Sequence, residues 1–482
     1  MLNSNIMKIW KKIIIALVAF NFILSAKWLL DNNLLFHTDI ARDFYLMKDI
    51  WDNKHLTLIG ARAGGLNGWF HGPLWLYLNL PAYILGSGNP VIVGWFWLSL
   101  HLFTCVSVFV VAKKIFNDKV AFISILVYST ITILDVHSYI NPQGALIIFP
   151  IFFYFYWKYK QTNKTINLVL SLFLTGLMIQ FQIAFGAPLL ILIFIDNILT
   201  TIKDKKISRF LAYFILLIPL SSYILFELRH NFIQIRSLSG LVKTTANLNL
   251  IEKIKSMPIW LWLSIVLVFI KKKNPALKLF LFFYIGFWLI TLFFNGTVMS
   301  YYYFPFLPVL VIVCISIISK LNKYLFPLII GVIVVLNWNN AIKDNLKYSS
   351  DINKQDWSTW NSAKTAANWV LDNCGANSGY FVYTADLYGY NLRYAMDFQS
   401  NKRNITVNSN SKKEITCLLI GPNVKENPYG SDNWKSGDIK ISGKMVGGVE
   451  YGNGIKIEKY ELEEKDIKIE ANPYLIKDTF FR

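Results

Sequence analysis

The chain has 482 residues, of which 54% are hydrophobic and 16% charged, with a mean hydropathy of +0.41. This composition excludes an ordinary soluble domain, which carries about a quarter charged residues. The net charge of +19 does not mark a nucleic-acid binder either: residues 343–482 balance 19 basic against 18 acidic side chains, so the excess lies in the apolar part, where it reads as topology.

The first apolar run, Ile13 to Leu30, lacks a small-residue cleavage site and is nearly long enough to span, which predicts an uncleaved anchor. Further apolar segments lie at 91–112, 120–140, 144–157, 166–183, 184–202, 208–228, 258–270, 277–295, 301–319 and 324–341, giving eleven spans. The run PLWLYLNLPAYILG at 73–86 is too short for a span and contains Pro81. Leaving it out, with the N-terminus cytoplasmic, sends Lys8, Lys11, Lys12, Lys113, Lys114 and the later basic connectors to the cytoplasm. The loop 229–257 breaks the rule, being external yet carrying Arg229, Arg236, Lys243, Lys253 and Lys255. The expected fold is an all-α polytopic membrane domain over 1–342 and an extracytoplasmic α/β domain over 343–482 in the plasma membrane.

Residues 31–90 form a long first external loop. From Asp39 to Trp51, Ile40, Phe44, Met47 and Trp51 recur at helical spacing, with Arg42, Tyr45, Lys48, Asp49 and Asp52 opposite. Such a helix suits a membrane surface, aromatic face down, with Asp39 and Asp43 on the flank between oily and wet sides. The plainer alternative is that Thr38 or Asp39 caps the helix and Arg42 pairs with a neighbouring acid. Against it stand the position at a span exit, nearby His37, and the aromatic, glycine-rich segment GARAGGLNGWFHGPLWLYL (60–78) with His71, whose Trp69 and Trp75 suit interfacial anchoring.

The Asp-x-x-Arg segment (39–42), followed by the Gly/Pro-aromatic turn HGPLWLYL, resembles the GT-C glycosyltransferases. The nearest branch is the bacterial one related to protein O-mannosyltransferases and aminoarabinose transferases, and the resemblance covers about residues 10–340. It implies a catalytic aspartate in the first external loop with membrane-parallel helices after it. The tail lies outside the family's common core.

Other outward clusters follow. DVHSYINPQG (135–144) offers His137, Tyr139, Asn141 and Gln143, where family members often place an acid for phosphate or metal; Asp135 lies about a turn inside the span, which weighs against a metal. Asn141-Pro142 also reads as a plain turn opening a helix. Gln180 and Gln182 near the end of the fifth span suit either an interhelical bond or a sugar hydroxyl. FELRHNF (226–232) brings Glu227, Arg229 and His230 to the outer face, where a guanidinium matches phosphate oxygens, lipid headgroups included. SYYYFPFLPVL (300–310) resembles the family's Tyr-rich entry, which carries over Tyr303.

In the tail, WSTWNSAKTAANWVLDNC reads as a helix with Trp360, Ala363, Ala367 and Val370 on one side. Strands are expected at 380–385, 405–408, 415–421, 438–446 and 454–462, with turns at Gly447-Gly448 and Gly452-Asn453-Gly454. Cys105, Cys314, Cys374 and Cys417 are too few for a disulfide framework; a Cys374–Cys417 bridge is open, since only these two share a region.

Together these features predict an inverting transferase moving a sugar from a polyprenyl-phosphate donor to a hydroxyl acceptor at the outer face. Asp39 is the expected base, and partial burial is expected to lift it from its free pKa of about 3.9. Arg42 or Arg229, with a divalent ion (Mg2+ or Mn2+) as a candidate addition, would offset charge on the leaving phosphate. The helix at 73–86 is expected to wall the groove for the lipid tail. A polysaccharide polymerase or ligase using a lipid-linked donor is the nearest rival; a transporter is less supported, because Asp135, Asp196 and Glu227 lie near span ends.

Overall fold

The computed structural model describes residues 4–63, 68–237, 274–292, 299–348, 351–386, 388–423, 430–473 and 475. Its helices are α1 (Ser4–Leu30), α2 (Thr38–Asp52), α3 (Leu74–Leu85), α4 (Pro90–Ile115), α5 (Asp118–Ile131), α6 (Asn141–Thr162), α7 (Thr165–Phe181), α8 (Ile183–Asp204), α9 (Ser221–Arg229), α10 (Pro275–Thr291), α11 (Leu307–Ile318), α12 (Leu325–Tyr348), α13 (Trp360–Cys374) and α14 (Tyr390–Arg403). Helical turns of the 3-10 type at Ile207–Leu217 and Ser300–Phe306 lead into α9 and α11. Every predicted apolar segment within the described residues is largely helical; 258–270 lies outside them.

Among the described residues five helical stretches are long and apolar enough to cross a membrane: Lys8–Leu30, Pro90–Ile115, Ile183–Asp204, Ser300–Ile318 and Leu325–Tyr348. The pair Ile207–Leu217 and Ser221–Arg229, bent by 69°, makes a sixth if it is one broken span and not a re-entrant loop. The count of eleven is not confirmed among the described residues, where several apolar runs form short helices: α7 and α10 have 17 residues each and α5 has 14. At about 1.5 Å per residue none of these matches a hydrocarbon layer of about 30 Å without help from its neighbours. The 12 residues of α3 fall further short, as the sequence reading held.

Local chemistry explains where the helices start. Asn274 accepts from the amides of Ala276 and Leu277 with Pro275 next to it, and Asn117 accepts from Val120. The expected turn at Asn141-Pro142 does open α6, where Gln143 reaches back to the Ile140 amide at 3.1 Å.

The chain divides into two compact units. The first comprises Met1–Ile23, Leu56–Leu78 and Trp97–Asn339; the second comprises Leu24–His55, Asn79–Phe96 and Asn340–Arg482. Within the first, Phe306 sits among Phe149, Phe185, Tyr284 and Phe287 with ring centroids 5.0–5.4 Å away. A buried polar tie crosses the same unit: Asn21 donates to Ser129 (2.8 Å) and Thr130 (2.9 Å) and accepts from the Trp338 indole (2.6 Å).

The second unit holds a five-stranded sheet of β1 (Gly379–Tyr383), β2 (Asn408–Ser409), β3 (Ile415–Ile420), β4 (Lys444–Glu450) and β5 (Lys456–Glu461), in the order β2-β1-β3-β5-β4. Pairs involving β1 are parallel and the remainder antiparallel. Trp360, Ala363, Ala367 and Val370 are buried on α13 as predicted. A Cys374–Cys417 disulfide fastens the end of α13 to β3. Three strand expectations are corrected: 405–408 contributes only the short β2, residues 434–439 form a helical turn ahead of β4, and Gly447-Gly448 lies inside β4 at a register shift. A Cβ on Gly448 would stand 2.5 Å from the Ile457 carbonyl, so the glycine serves close strand approach and not a turn. The second tail helix, α14, was not anticipated.

Candidate active site

The first-loop helix α2 belongs to the second unit. Its predicted stripe is real, since Ile40, Phe44 and Met47 are all 2% exposed or less, but its partner is protein and not lipid. Phe44 meets Phe36, Tyr394 and Tyr83 edge-on at 5.3, 5.4 and 5.7 Å. Trp51 departs from the stripe: it is 41% exposed, with the Lys54 ammonium over its ring. Tyr45, expected on the wet side, donates to Asp397 at 2.7 Å and packs on Tyr394.

Three charged side chains occupy the first turns of α2. Arg42 donates through Nε and Nη2 to Oδ1 of Asp43 (3.1 and 2.9 Å) and through Nη1 to Oδ1 of Asp39 (2.7 Å). The two carboxylates differ in setting, with the Asp43 side chain 7% exposed and that of Asp39 53% exposed. Burial alone would lower the Arg42 pKa; Asp43 and then Asp39 outweigh it and raise the pKa, so the guanidinium is a fixed cation. Asp39 is thus not the partly buried carboxylate that the sequence led us to expect. Such a carboxylate, oriented by one guanidinium and otherwise open, can take a proton or accept a hydroxyl's hydrogen bond. His37 occupies the N-cap position without a side-chain cap bond, and burial lowers its pKa, with Asp39 opposing and Arg42 reinforcing the shift.

The remaining candidates lie in the first unit. Asn141 donates to the Phe181 carbonyl (2.8 Å) and to Gln182 (3.2 Å), so this pair locks the start of α6 to the α7–α8 junction. His71 lies on a strand-like segment whose backbone pairs with Gly60 and Ala61. Glu227 is buried and accepts from the amides of Gln234 (3.2 Å) and Ile235 (3.4 Å), capping the turn that follows α9. Arg229 is exposed and forms no ion pair among the described residues, while His230 stacks on Phe226 at 4.2 Å. Tyr303 is fully buried and bonded to Thr291 (3.0 Å), a packing position.

Near Glu227 the first unit opens an apolar groove of about 400 Å³, lined by Trp69, Ile183, Leu217, Leu220, Tyr223, Ile224 and neighbours. The Trp69 indole N–H is buried there with no hydrogen-bond partner among the described residues. The groove is walled by α7, α8, α9 and the turn before α9. It continues the packing of the first loop, since the Phe70 amide donates to Gln234 and the Tyr223 hydroxyl to the Phe70 carbonyl. Gly72 fits because its backbone lies against Gln180; a Cβ there would stand 1.8 Å from Gln180 Oε1.

Among the described residues no three His, Cys, Asp or Glu side chains gather in a metal-holding arrangement, and the Arg42 guanidinium already bridges Asp39 and Asp43. Reading the sequence missed Asp397 and Asp386 beside α2; both lie more than 340 residues along the chain, and no local pattern points to them.

No protein-family model matches the sequence, and no curated protein does. Among solved structures, ArnT from Cupriavidus metallidurans in the apo state matches 94% of this chain and 98% of its own, with a TM-score of 0.60 at 9% identity. The same protein bound to undecaprenyl phosphate gives 0.59 at 10% identity, covering 96% and 99%. The oligosaccharyltransferase of Archaeoglobus fulgidus, in complex with Zn and sulfate, gives 0.46 at 11% identity over 84% and 68%. These neighbours are GT-C glycosyltransferases, and at such low identity the ArnT likeness is one of fold: the chain has an ArnT-like GT-C fold. It extends further than the sequence resemblance did, since 94% of the chain is more than residues 1–342 can supply, so most of the tail is shared.

Proposed function

We propose that the protein is an inverting glycosyltransferase that moves a sugar from a polyprenyl-phosphate donor to a hydroxyl acceptor at the outer face of the plasma membrane. The observation that carries this reading is the exposed Asp39 carboxylate, steered by Arg42, in the first loop of a fold otherwise seen in ArnT with undecaprenyl phosphate bound. The Cys374–Cys417 disulfide supports an oxidising, extracytoplasmic setting for the tail. Nucleotide sugars are cytoplasmic, so a donor on that side must be anchored in the membrane. Taken by itself, the first unit offers a sparsely polar groove that suits a prenyl chain and an exposed Arg229 that suits a phosphate.

In the reaction the acceptor oxygen attacks the anomeric carbon as Asp39 takes its proton. The bond from that carbon to the phosphate oxygen breaks, and polyprenyl phosphate leaves with the electron pair. A single in-line displacement inverts the anomeric centre. No step is assigned to a metal.

The test is transfer of radiolabel from undecaprenyl-phosphate-linked sugars to membrane acceptors by purified protein. Asp39→Asn is expected to lower transfer at least 1,000-fold, more than the roughly 100- to 10,000-fold range's lower end for a general base, at unchanged membrane insertion. Full activity in that variant would overturn the assignment. Arg229→Ala is expected to weaken donor binding about tenfold, and unchanged affinity would leave Arg229 as a headgroup anchor.

A further inference from the structure

Deepening the reading above, we infer that the C-terminal domain is the positioning device of the reaction: it fixes the Asp39 helix at its first residue and at its middle, through Asp386 and Asp397. All the groups concerned belong to the second unit. The segment before α2 pairs with the entry to α13 as an antiparallel ladder, in which the Phe36 amide donates to the Ser358 carbonyl (2.8 Å) and the Trp360 amide to the Leu34 carbonyl (2.9 Å). Asn33 adds two bonds, to Gln355 (3.2 Å) and from the Asn361 amide (3.0 Å). At the first residue of α2 the Thr38 hydroxyl donates to Oδ2 of Asp386. The other oxygen of Asp386 accepts from Thr384 and from the amides of Tyr388 (3.1 Å) and Gly389 (3.4 Å), so this acceptor is itself held. Two turns along, the Tyr45 hydroxyl donates to Asp397 (2.7 Å), which Tyr380 approaches at 3.4 Å.

Asp39 and Arg42 lie between these two attachments. The helix has no side-chain cap of its own, so its start is defined by the tail. A general base must hold its carboxylate to within about 0.5 Å to work, and a loop leaving a membrane helix does not supply that rigidity alone. Asp386 and Asp397 touch no reacting atom in this scheme; they act through Thr38 and Tyr45 on the placement of Asp39.

The experiment measures kcat and KM of the full-length protein with radiolabelled undecaprenyl-phosphate-linked sugars. Thr38→Val and Tyr45→Phe each remove one hydroxyl bond and are expected to lower kcat about tenfold, leaving donor KM within twofold. Thr38→Ser and Asp397→Asn retain a bonding partner and are expected to keep kcat within threefold, a rescue that a packing role would not produce. Should Thr38→Val fold poorly, Tyr45→Phe decides, because it removes a single oxygen. Wild-type kcat in both Thr38→Val and Tyr45→Phe, or a change confined to KM, overturns the inference while inactive Asp39→Asn keeps the transferase reading. Active Asp39→Asn overturns that reading instead.

Discussion

Replacing Arg42 by Met removes the guanidinium from between a buried and an exposed carboxylate, and the two halves of the loss differ in size. On the Asp43 side the fork makes two bonds to a side chain 7% exposed, and breaking such a pair from one partner costs about 3–5 kcal/mol. The Arg42 side chain retains 16% exposure, so water relieves part of that, and the lower figure of about 3 kcal/mol is expected. On the Asp39 side the carboxylate is 53% exposed, and the pair is worth about 0.2–1 kcal/mol. Arg42→Met is therefore expected to destabilise by about 3 kcal/mol, and Asp39→Asn by less than about 1 kcal/mol. The double variant Arg42→Met/Asp43→Leu, which replaces the pair by apolar volume, is expected within about 1 kcal/mol of the parent. Unfolding of the purified protein in mixed micelles, titrated with dodecyl sulfate, gives these differences. If Arg42→Met costs no more than Asp39→Asn, or if the double variant shows the sum of the single losses, Asp43 is not the buried anchor described.

Two further outcomes follow from other parts of the second unit. Replacing Cys374 and Cys417 by Ser opens a loop spanning 43 residues, worth about 4 kcal/mol by chain entropy, so the same unfolding titration is expected to show a loss of that order; no loss would mean the bridge is not formed. The lowered pKa of His37 means that the unfolded chain binds a proton first as pH falls, so its contribution is complete above pH 6.5 and fades from there down through the lower folded value. His37→Gln is expected to flatten the stability profile below pH 6.5, and an unaltered slope would refute the assignment.

Much of the fold was legible because apolar runs and caps are local. The Asn141-Pro142 start of α6, the shortness of the segment around Pro81 and the buried face of α13 followed from spacing and side-chain type. The stripe of α2 was legible as well, but composition does not distinguish a lipid surface from the rings of Tyr83 and Tyr394. α14 was missed since its run NLRYAMDFQSNKR mixes polar residues into buried positions, Asn391 and Arg393 among them, which erases the helical periodicity. The Asp39–Arg42 pair was visible from its spacing of three. Its differing halves were not, for burial depends on what the tail brings against α2. Glu227 and Tyr303 show the converse: chemically suggestive types that the fold consumes, one as a backbone cap and the other in packing.

The ladder between residues 34–36 and 358–360 also sets an order of events during biogenesis. Asn33 and its partner Gln355 are 322 positions apart, and Thr38 and Asp386 are 348 apart. At a synthesis rate of about 5–20 residues per second, the nascent first loop waits roughly 16–70 seconds for its counterparts to be synthesised. Until then Asp39 exists without the frame that aims it, so an unfinished polypeptide carries the carboxylate but not the completed framework around it.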